Sequence, residues 1–175
     1  DILGNPKMCE ITAEKLEDAL TEGVWFDGSS VEGFVRIAES DMFLVPDRKT
    51  WAILPWSKKT ARIICDVYVD EKTPFIGDPR YVLKNNLKKA KEKGFEYKVG
   101  PELEFFIFKG VNGSEIEELR LHDSAGYFDL ATRDEAAELR KEMVPSLEKM
   151  GMKIERSHHE VAQGQHEIDF TYGDA

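Results

Sequence analysis

The run Ile154-Glu155-Arg156-Ser157-His158-His159-Glu160-Val161-Ala162-Gln163-Gly164-Gln165-His166-Glu167-Ile168-Asp169-Phe170 organises the rest of this chain. Two β-type segments flank a Gln-Gly dipeptide, which predicts a tight hairpin turning at Gln163-Gly164. With the turn there, Glu160 and Glu167 become cross-strand partners, their Cβ atoms ~5 Å apart on one face. Three of the four histidines lie on the same segment. Carboxylates held side by side repel unless a cation sits between them, so the hairpin is expected to be built around a metal.

A second acidic pair lies upstream, in Val99-Gly100-Pro101-Glu102-Leu103-Glu104-Phe105-Phe106-Ile107-Phe108. This is the most apolar strand-like run, and it reads as a central strand buried on at least one face. Glu102 and Glu104 leave one face of it ~6.5 Å apart, at ~3.3 Å per residue. Spacing alone is weak evidence, since Glu115-Ile116-Glu117 repeats it in a polar loop. If Glu102, Glu104, Glu160 and Glu167 converge, each pair repels by ~2–3 kcal/mol at that distance and an effective dielectric near ~20. Summed over all pairs, this is on the order of 10 kcal/mol, comparable with the whole stability of a domain. Protonation or a divalent cation relieves it, and hard oxygen donors favour Mg²⁺ or Mn²⁺. On pattern alone, four glutamates on separate solvated surfaces stays open. The histidines include no His-Glu-x-x-His, so a zinc site has little support. His158 and His159 alternate along a strand, so at most one faces the carboxylates, as a hydrogen-bonding support rather than a ligand. Tyr127 reads as core on composition.

The totals fit a globular protein of one ample domain or two small ones: 175 residues, 41% apolar. A net charge of −10 argues against nucleic acid and anionic membrane as partners. No apolar run approaches the ~20 residues of a transmembrane helix. Cys9 and Cys65 match no metal or redox spacing and read as buried free thiols of a cytoplasmic protein. The chain begins at Asp1 and stops just after a strand-like run, which suggests a piece of a longer polypeptide.

Along the chain, Thr12 to Leu20 predicts a helix capped by Thr12 and ended by Gly23. Strands are expected at Val24 to Phe26, Met42 to Val45, Trp51 to Leu54 and Arg62 to Tyr68, broken at Pro46-Asp47 and over Pro55 to Thr60. A boundary is expected at Asp70 to Pro74, dividing residues 1–72 from 73–175. A helix then starts with Asp78 as N-cap and Pro79 at its first position, burying Leu83, Leu87 and Ala90 and ending at Gly94; its lysines form a solvated face. A turn is expected at Val111 to Ser114. A last helix runs from Thr132, with the capping-box pair Thr132 and Glu135. It buries Ala136, Leu139, Met143, Leu147 and Met150, and Pro145 is expected to kink or locally loosen it.

Several blocks together resemble type I glutamine synthetase, in its bacterial and archaeal branch. They are Phe26-Asp27-Gly28-Ser29-Ser30-Val31-Glu32-Gly33, Glu39-Ser40-Asp41-Met42, Gly100-Pro101-Glu102-Leu103-Glu104-Phe105-Phe106, Gly126-Tyr127-Phe128-Asp129 and His158-His159-Glu160-Val161-Ala162-Gln163-Gly164-Gln165-His166-Glu167. They stand in the family's order and span essentially the whole chain. The resemblance implies an α+β fold: a small β-grasp-like N-terminal domain, incomplete at its start, then the first part of a mainly antiparallel catalytic domain with flanking helices.

It also implies ATP-dependent ligation of ammonia to glutamate through γ-glutamyl phosphate, with Mg²⁺ or Mn²⁺ as cofactor. By resemblance Glu104, Glu160 and Glu167 hold one metal, Glu102 contributes to a second, and Glu155 belongs to the nucleotide site. Asp27 and Ser30, with Tyr127 and Glu160, form the ammonium pocket; Asp41 belongs to the same N-terminal signature. In the family the Asp27 loop serves a neighbouring subunit's site, within a homo-oligomer of stacked hexameric rings. Family subunits are several hundred residues long, so this chain alone is expected to be inactive. Two other readings stand beside this one: a γ-glutamyl ligase that uses another amine, for which Asp27 would be less needed, and a non-catalytic assembly or binding module.

Overall fold

A computed structural model describes residues 1–33, 41–109, 120–130 and 132–175, which divide into two units: Asp1–Ile53 with Lys59–Tyr97, and Leu54–Lys58 with Lys98–Ala175. The predicted turn at 111–114, the Glu115-Ile116-Glu117 run and residues 39–40 of the N-terminal signature lie outside the described residues.

In the first unit Thr12 precedes a 3-10 turn, Ala13–Lys15, which leads into α1, Leu16–Glu22. Thr12 makes no side-chain capping bond, so the helix starts later than the threonine suggests. Gly23 ends it at φ 75°, where a Cβ would lie 2.7 Å from the Leu44 carbonyl oxygen. Only glycine fits so tight a passage into β1, Val24–Asp27. The sheet runs β1-β2-β3, with β2 at Asp41–Leu54 and β3 at Ser57–Tyr68.

Pro46-Asp47 does not break β2, contrary to the sequence expectation. Pairing with antiparallel β1 ends at Val24↔Leu44, so the missing N–H of Pro46 falls beyond that ladder. Met42 (0% exposed) and Phe43 anchor this unit's core, and Phe43 packs its ring on Trp25 at 4.8 Å.

Helix α2, Pro79–Glu92, starts as predicted: the Asp78 carboxylate accepts from the N–H groups of Arg80 and Val67, both at 3.1 Å. Gly94 (φ 82°) follows its C-terminus. Arg80 ties the helix to β2 through Asp47 and to β3 through Asp66 (2.8 Å), where Lys84 also bonds. The expected stripe of Leu83, Leu87 and Ala90 is not buried. No described residue of α2 is, and Leu83 is 42% exposed. Cys9 is exposed and Cys65 half-buried, both free, so neither is the fully buried thiol expected.

In the second unit β4, Lys98–Val99, pairs with β8, Gly173–Asp174. The main sheet has the order β5-β7-β6, all antiparallel: β5 Glu102–Phe106, β6 Ile154–His159 and β7 Gln165–Phe170. The apolar run at 102–108 was expected to be central, but among the described residues β5 is an edge, with Leu103 50% and Phe106 47% exposed. The centre is β7, whose residues 166–169 are all buried. A middle strand is covered on both faces and both sides whatever its charge, and hydropathy does not report that.

Helix α3 spans Ala137–Lys149, running through Pro145, and packs on β6. It starts five residues after Thr132. The N–H groups just before it go to buried carboxylates, Glu135 to Asp123 and Ala136 to Asp134, both at 3.2 Å. Its buried stripe passes through Ala136 and Arg140, while Leu139 is 43% exposed. Within the described residues the architecture is α+β, and no helix is long and apolar enough to cross a membrane.

Candidate metal centre

The hairpin forms with a register different from the two-residue turn. His158 opposes Glu167, His159 opposes His166, and the Glu160 N–H bonds the Gln165 carbonyl at 2.8 Å. The turn is therefore the four-residue loop 161–164, closed by Gln165 N–H to the Ala162 carbonyl at 3.1 Å. Glu160 does not face Glu167 directly, contrary to the sequence expectation. The partner of Glu167 moves by two residues, and two is the side-chain period of a strand, so Glu160 keeps the same face. Gly164 permits this loop at φ 68°, with a Cβ position only 3.2 Å from the Ile107 carbonyl oxygen.

That face carries three rows across the sheet. Glu104, Glu167 and His158 form one, because Glu104↔Glu167 and Glu167↔His158 are register partners. Glu102, Asp169 and Arg156 form the next, and Phe106, Gln165 and Glu160 the third. Five carboxylates share the face. One oxygen each from Glu160 and Glu167 and one His158 nitrogen lie within 4.8 Å of one another, as do single oxygens of Glu102, Glu167 and Asp169. Glu104 accepts from Gln165 Nε2 at 2.6 Å, and Glu160 from the Val161 N–H at 2.7 Å.

The electrostatics register the crowding. Burial, then the Asp169 and Glu160 carboxylates, push Glu167 up to about 7, while His158 pulls the other way. His158 Nδ1 donates to the His159 carbonyl at 3.0 Å, so Nε2 turns toward Glu167 (3.3 Å) and Asp169 (3.7 Å). Asp169 is 4% exposed; Arg156 bonds its Oδ2, and its Oδ1 has no partner among the described residues. A face of hard oxygen donors, one protonated near neutrality and one with a bare buried oxygen, fits a divalent cation of the Mg²⁺ or Mn²⁺ kind. One histidine faces the carboxylates and the other does not, as the alternation predicts.

Behind the sheet lies a separate buried polar network. Asp123 Oδ1 accepts from His159 Nε2 (2.9 Å) and from the Gly164 N–H (3.1 Å), and His159 Nδ1 donates to the Glu160 carbonyl at 2.6 Å. Arg140 bonds both oxygens of Asp134 and meets His166 Nδ1 at 2.7 Å. Burial, with the Arg140 and His159 charges, pushes His166 down to about 4, so it is neutral and accepts from Arg140. Asp123, His159 and His166 could also surround an ion. The Arg140 cation against His166, and the bonds on both His159 nitrogens, make this network a brace instead.

The remaining sequence candidates fall as follows. Asp27 ends β1 in the first unit, where its carboxylate accepts from Ser29 N–H (2.9 Å), Ser29 Oγ (2.6 Å) and Ser30 Oγ (3.2 Å). The Ser29 bonds, with smaller help from Ser30, hold Asp27 below the usual carboxylate range. Asp41 opposes Asp27 across the β1–β2 pair. Tyr127 is not core: it is 52% exposed, stacks on Phe128 at 4.1 Å and presents an edge contact to His158 at 5.4 Å. Glu155 is exposed on β6, at the register shift between Ile154 and Arg156. Asp169, Asp123, Asp134, Arg140 and Arg156 were missed. The Glu-x-Asp step from Glu167 repeats the spacing of Glu102 and Glu104 and could have flagged Asp169; nothing local marks Asp123 or Arg140.

Two family models match the chain: "Glutamine synthetase, beta-Grasp domain" over residues 1–70 and "Glutamine synthetase, catalytic domain" over residues 76–175. It is 53% identical to a glutamine synthetase of Halobacterium salinarum over 180 residues, and 54% identical to one of Staphylococcus aureus over 179. Both alignments cover 100% of this chain but only 39% and 40% of the relatives, so it spans about two fifths of their length. Among solved structures, apo GmaS without ligand aligns at TM-score 0.86 and 26% identity, covering 99% of this chain and 41% of that one. Plasmodium falciparum glutamine synthetase aligns at TM-score 0.74 and 27% identity, covering 94% and 37%. The first unit's sheet accordingly belongs to a β-grasp domain, and this chain belongs to the glutamine synthetase family.

Proposed function

We propose that this chain supplies the β-grasp domain, residues 1–72, and the metal-binding start of the catalytic domain, residues 73–175, of an ATP-dependent glutamate–ammonia ligase. The placement of Glu102, Glu104, Glu160 and Glu167 on one sheet face, with Glu167 in reach of both Glu160 and Glu102, carries the reading. Glu104, Glu160 and Glu167 would hold one Mg²⁺ or Mn²⁺ and Glu102 would help hold another. When bound, the cations neutralise charge on the transferring phosphoryl group, which phosphoryl transfer needs more than a protein nucleophile.

The chain's own residues have the other roles. Glu155, exposed beside the acidic face, would bind the nucleotide. His158 holds Glu167 in place from the neighbouring strand. Asp27 would bind ammonium as a cation and take its proton, for which its ionised state at neutral pH is suited. Ser30 and Tyr127 would line that pocket with Glu160. In an assembly of stacked hexameric rings, the Asp27 loop would complete a neighbouring subunit's site. The enzyme would work in the cytoplasm, where ATP and glutamate are available.

The ionised Asp27 suits a nucleophile that arrives as a small cation, as ammonium does. The test is a coupled assay on a polypeptide of the relatives' full length. Glutamine formation dependent on glutamate, ATP, ammonium and Mg²⁺ is expected there, and none from the 175-residue chain alone. Turnover of a larger amine in place of ammonium would transfer the proposal to another γ-glutamyl ligase. Absence of any ligase activity would favour a non-catalytic module.

A further inference from the structure

We infer that Phe128 is a positioning residue: from a strained turn it holds the His158 imidazole in the orientation that brings Nε2 to Glu167. The inference rests on the metal reading of Glu167 and adds the group that keeps its support in place.

The turn comes first. The Asp129 N–H bonds the Gly126 carbonyl at 3.1 Å, and the Asp129 carboxylate accepts from the Gly126 N–H at 2.9 Å, which closes residues 126–129. Phe128 takes the third position at φ 56°, where glycine or asparagine sits without strain. Among the described residues it is the one non-glycine at positive φ, a costly place for a bulky aromatic side chain. The turn itself does not call for that residue. Neither does a core, since Phe128 is 54% exposed.

The conformation supplies a two-point hold on His158. The Phe128 N–H donates to the His159 carbonyl at 3.2 Å, and His158 Nδ1 donates to the same oxygen at 3.0 Å. A carbonyl has two lone pairs, so it accepts both. The Phe128 ring meets the imidazole edge to face, with centroids 4.6 Å apart and planes at 77°. It also stacks on Tyr127 at 4.1 Å, and Tyr127 meets the same imidazole at 5.4 Å. His158 is buried, with Nε2 3.3 Å from Glu167. The carbonyl sets which nitrogen carries the proton, and the rings set the tilt of the imidazole. Without the Phe128 ring the imidazole is free to turn, and Glu167 loses a partner that orients its carboxyl.

The test reads the imidazole and the metal separately. Long-range proton–nitrogen spectra of metal-free protein carrying ¹⁵N-labelled histidine, at about pH 8, report each ring's tautomer, and His158→Ala assigns that of His158. A single Nδ1–H tautomer is expected in the unsubstituted protein and in Phe128→Tyr. Averaging of the two tautomers is expected in Phe128→Gly, which relieves the backbone but has no ring. Mn²⁺ affinity is expected to fall ~10-fold in Phe128→Gly and to hold in Phe128→Tyr. Combining Phe128→Gly with His158→Ala should weaken Mn²⁺ no further than His158→Ala alone. Phe128→Leu, which keeps an apolar side chain without the ring, is expected to repeat the glycine result and replaces that variant if it melts early. A single tautomer or unchanged Mn²⁺ affinity in Phe128→Gly, or losses that add in the double variant, overturns the inference and leaves the metal reading intact. No Mn²⁺ uptake by the unsubstituted protein overturns the metal reading, and the spectra still decide whether Phe128 holds His158.

Discussion

Replacing Arg140 with methionine tests the brace behind the acidic face. Asp134 and Arg140 have side chains only 3% and 8% exposed, and the guanidinium bonds both Asp134 oxygens. Burial alone would raise Asp134; the Arg140 bonds and charge outweigh it and leave the carboxyl below its usual range. Removing Arg140 strands a buried carboxylate and frees His166 of a cationic neighbour. Breaking such a pair typically costs ~3–5 kcal/mol, which at ~4–8 °C per kcal/mol lowers the melting temperature of a unit this size by more than ~10 °C. Asp134→Leu with Arg140→Met should cost less than the single change, because no charge is left unpaired. Urea denaturation followed by far-ultraviolet circular dichroism measures both. A loss below ~1 kcal/mol for Arg140→Met, or an equal loss in the double variant, would refute the argument.

The other predictions concern protons and ammonium. Glu167 sits near 7, so a metal must displace its proton below neutrality; Mn²⁺ affinity should fall up to ~10-fold between about pH 7 and pH 6 and level off above about pH 8. Calorimetric titration that finds no pH dependence would remove Glu167 from the ligand set. His166, held near 4 rather than 6.5, is neutral in the fold and charged when unfolded over that window. Stability from this group is therefore complete above about pH 6.5 and lost as pH falls toward 4, and His166→Gln should flatten the acid limb of the melting profile. Asp27→Asn should leave the melting temperature in place, since Asp27 is exposed, yet lower ligation by ~10²–10⁴-fold in the complete enzyme. Unaltered turnover with ammonium would contradict its role.

Local chemistry was legible wherever it acts within a few residues. Asp78 and Pro79 start α2 as their types dictate, and Gly23 and Gly94 follow helices at positive φ. The acidic face was legible because strand parity survives a register error: Glu160 shifted its partner by two and stayed beside Glu167. What failed depends on distant chain. The Thr132–Glu135 box is unused because Asp123 and Asp134 take the nearby N–H groups. Arg140 rather than Leu139 turns inward because buried Asp134 and His166 await it, and no helical period announces that. The order of β5 and β7 within the sheet is hidden from hydropathy for a related reason: among the described residues the strand richer in phenylalanine lies at the edge, and the one with two carboxylates and a histidine is buried.

If the hairpin and β5 hold a divalent cation, removing one of its carboxylates must weaken that cation's binding. The most direct measurement is calorimetric titration of Mn²⁺ into the unsubstituted protein and into Glu160→Ala, at about pH 8, where Glu167 is ionised. The Glu160 carboxylate accepts from the N–H of its neighbour Val161 and lies 3.8 Å from His158 Nδ1 and beside the Glu167 carboxyl it repels, so its removal should cost the fold little. The variant should bind Mn²⁺ at least ~10-fold more weakly with a nearly unchanged melting temperature. Equal affinity in the two proteins would contradict it.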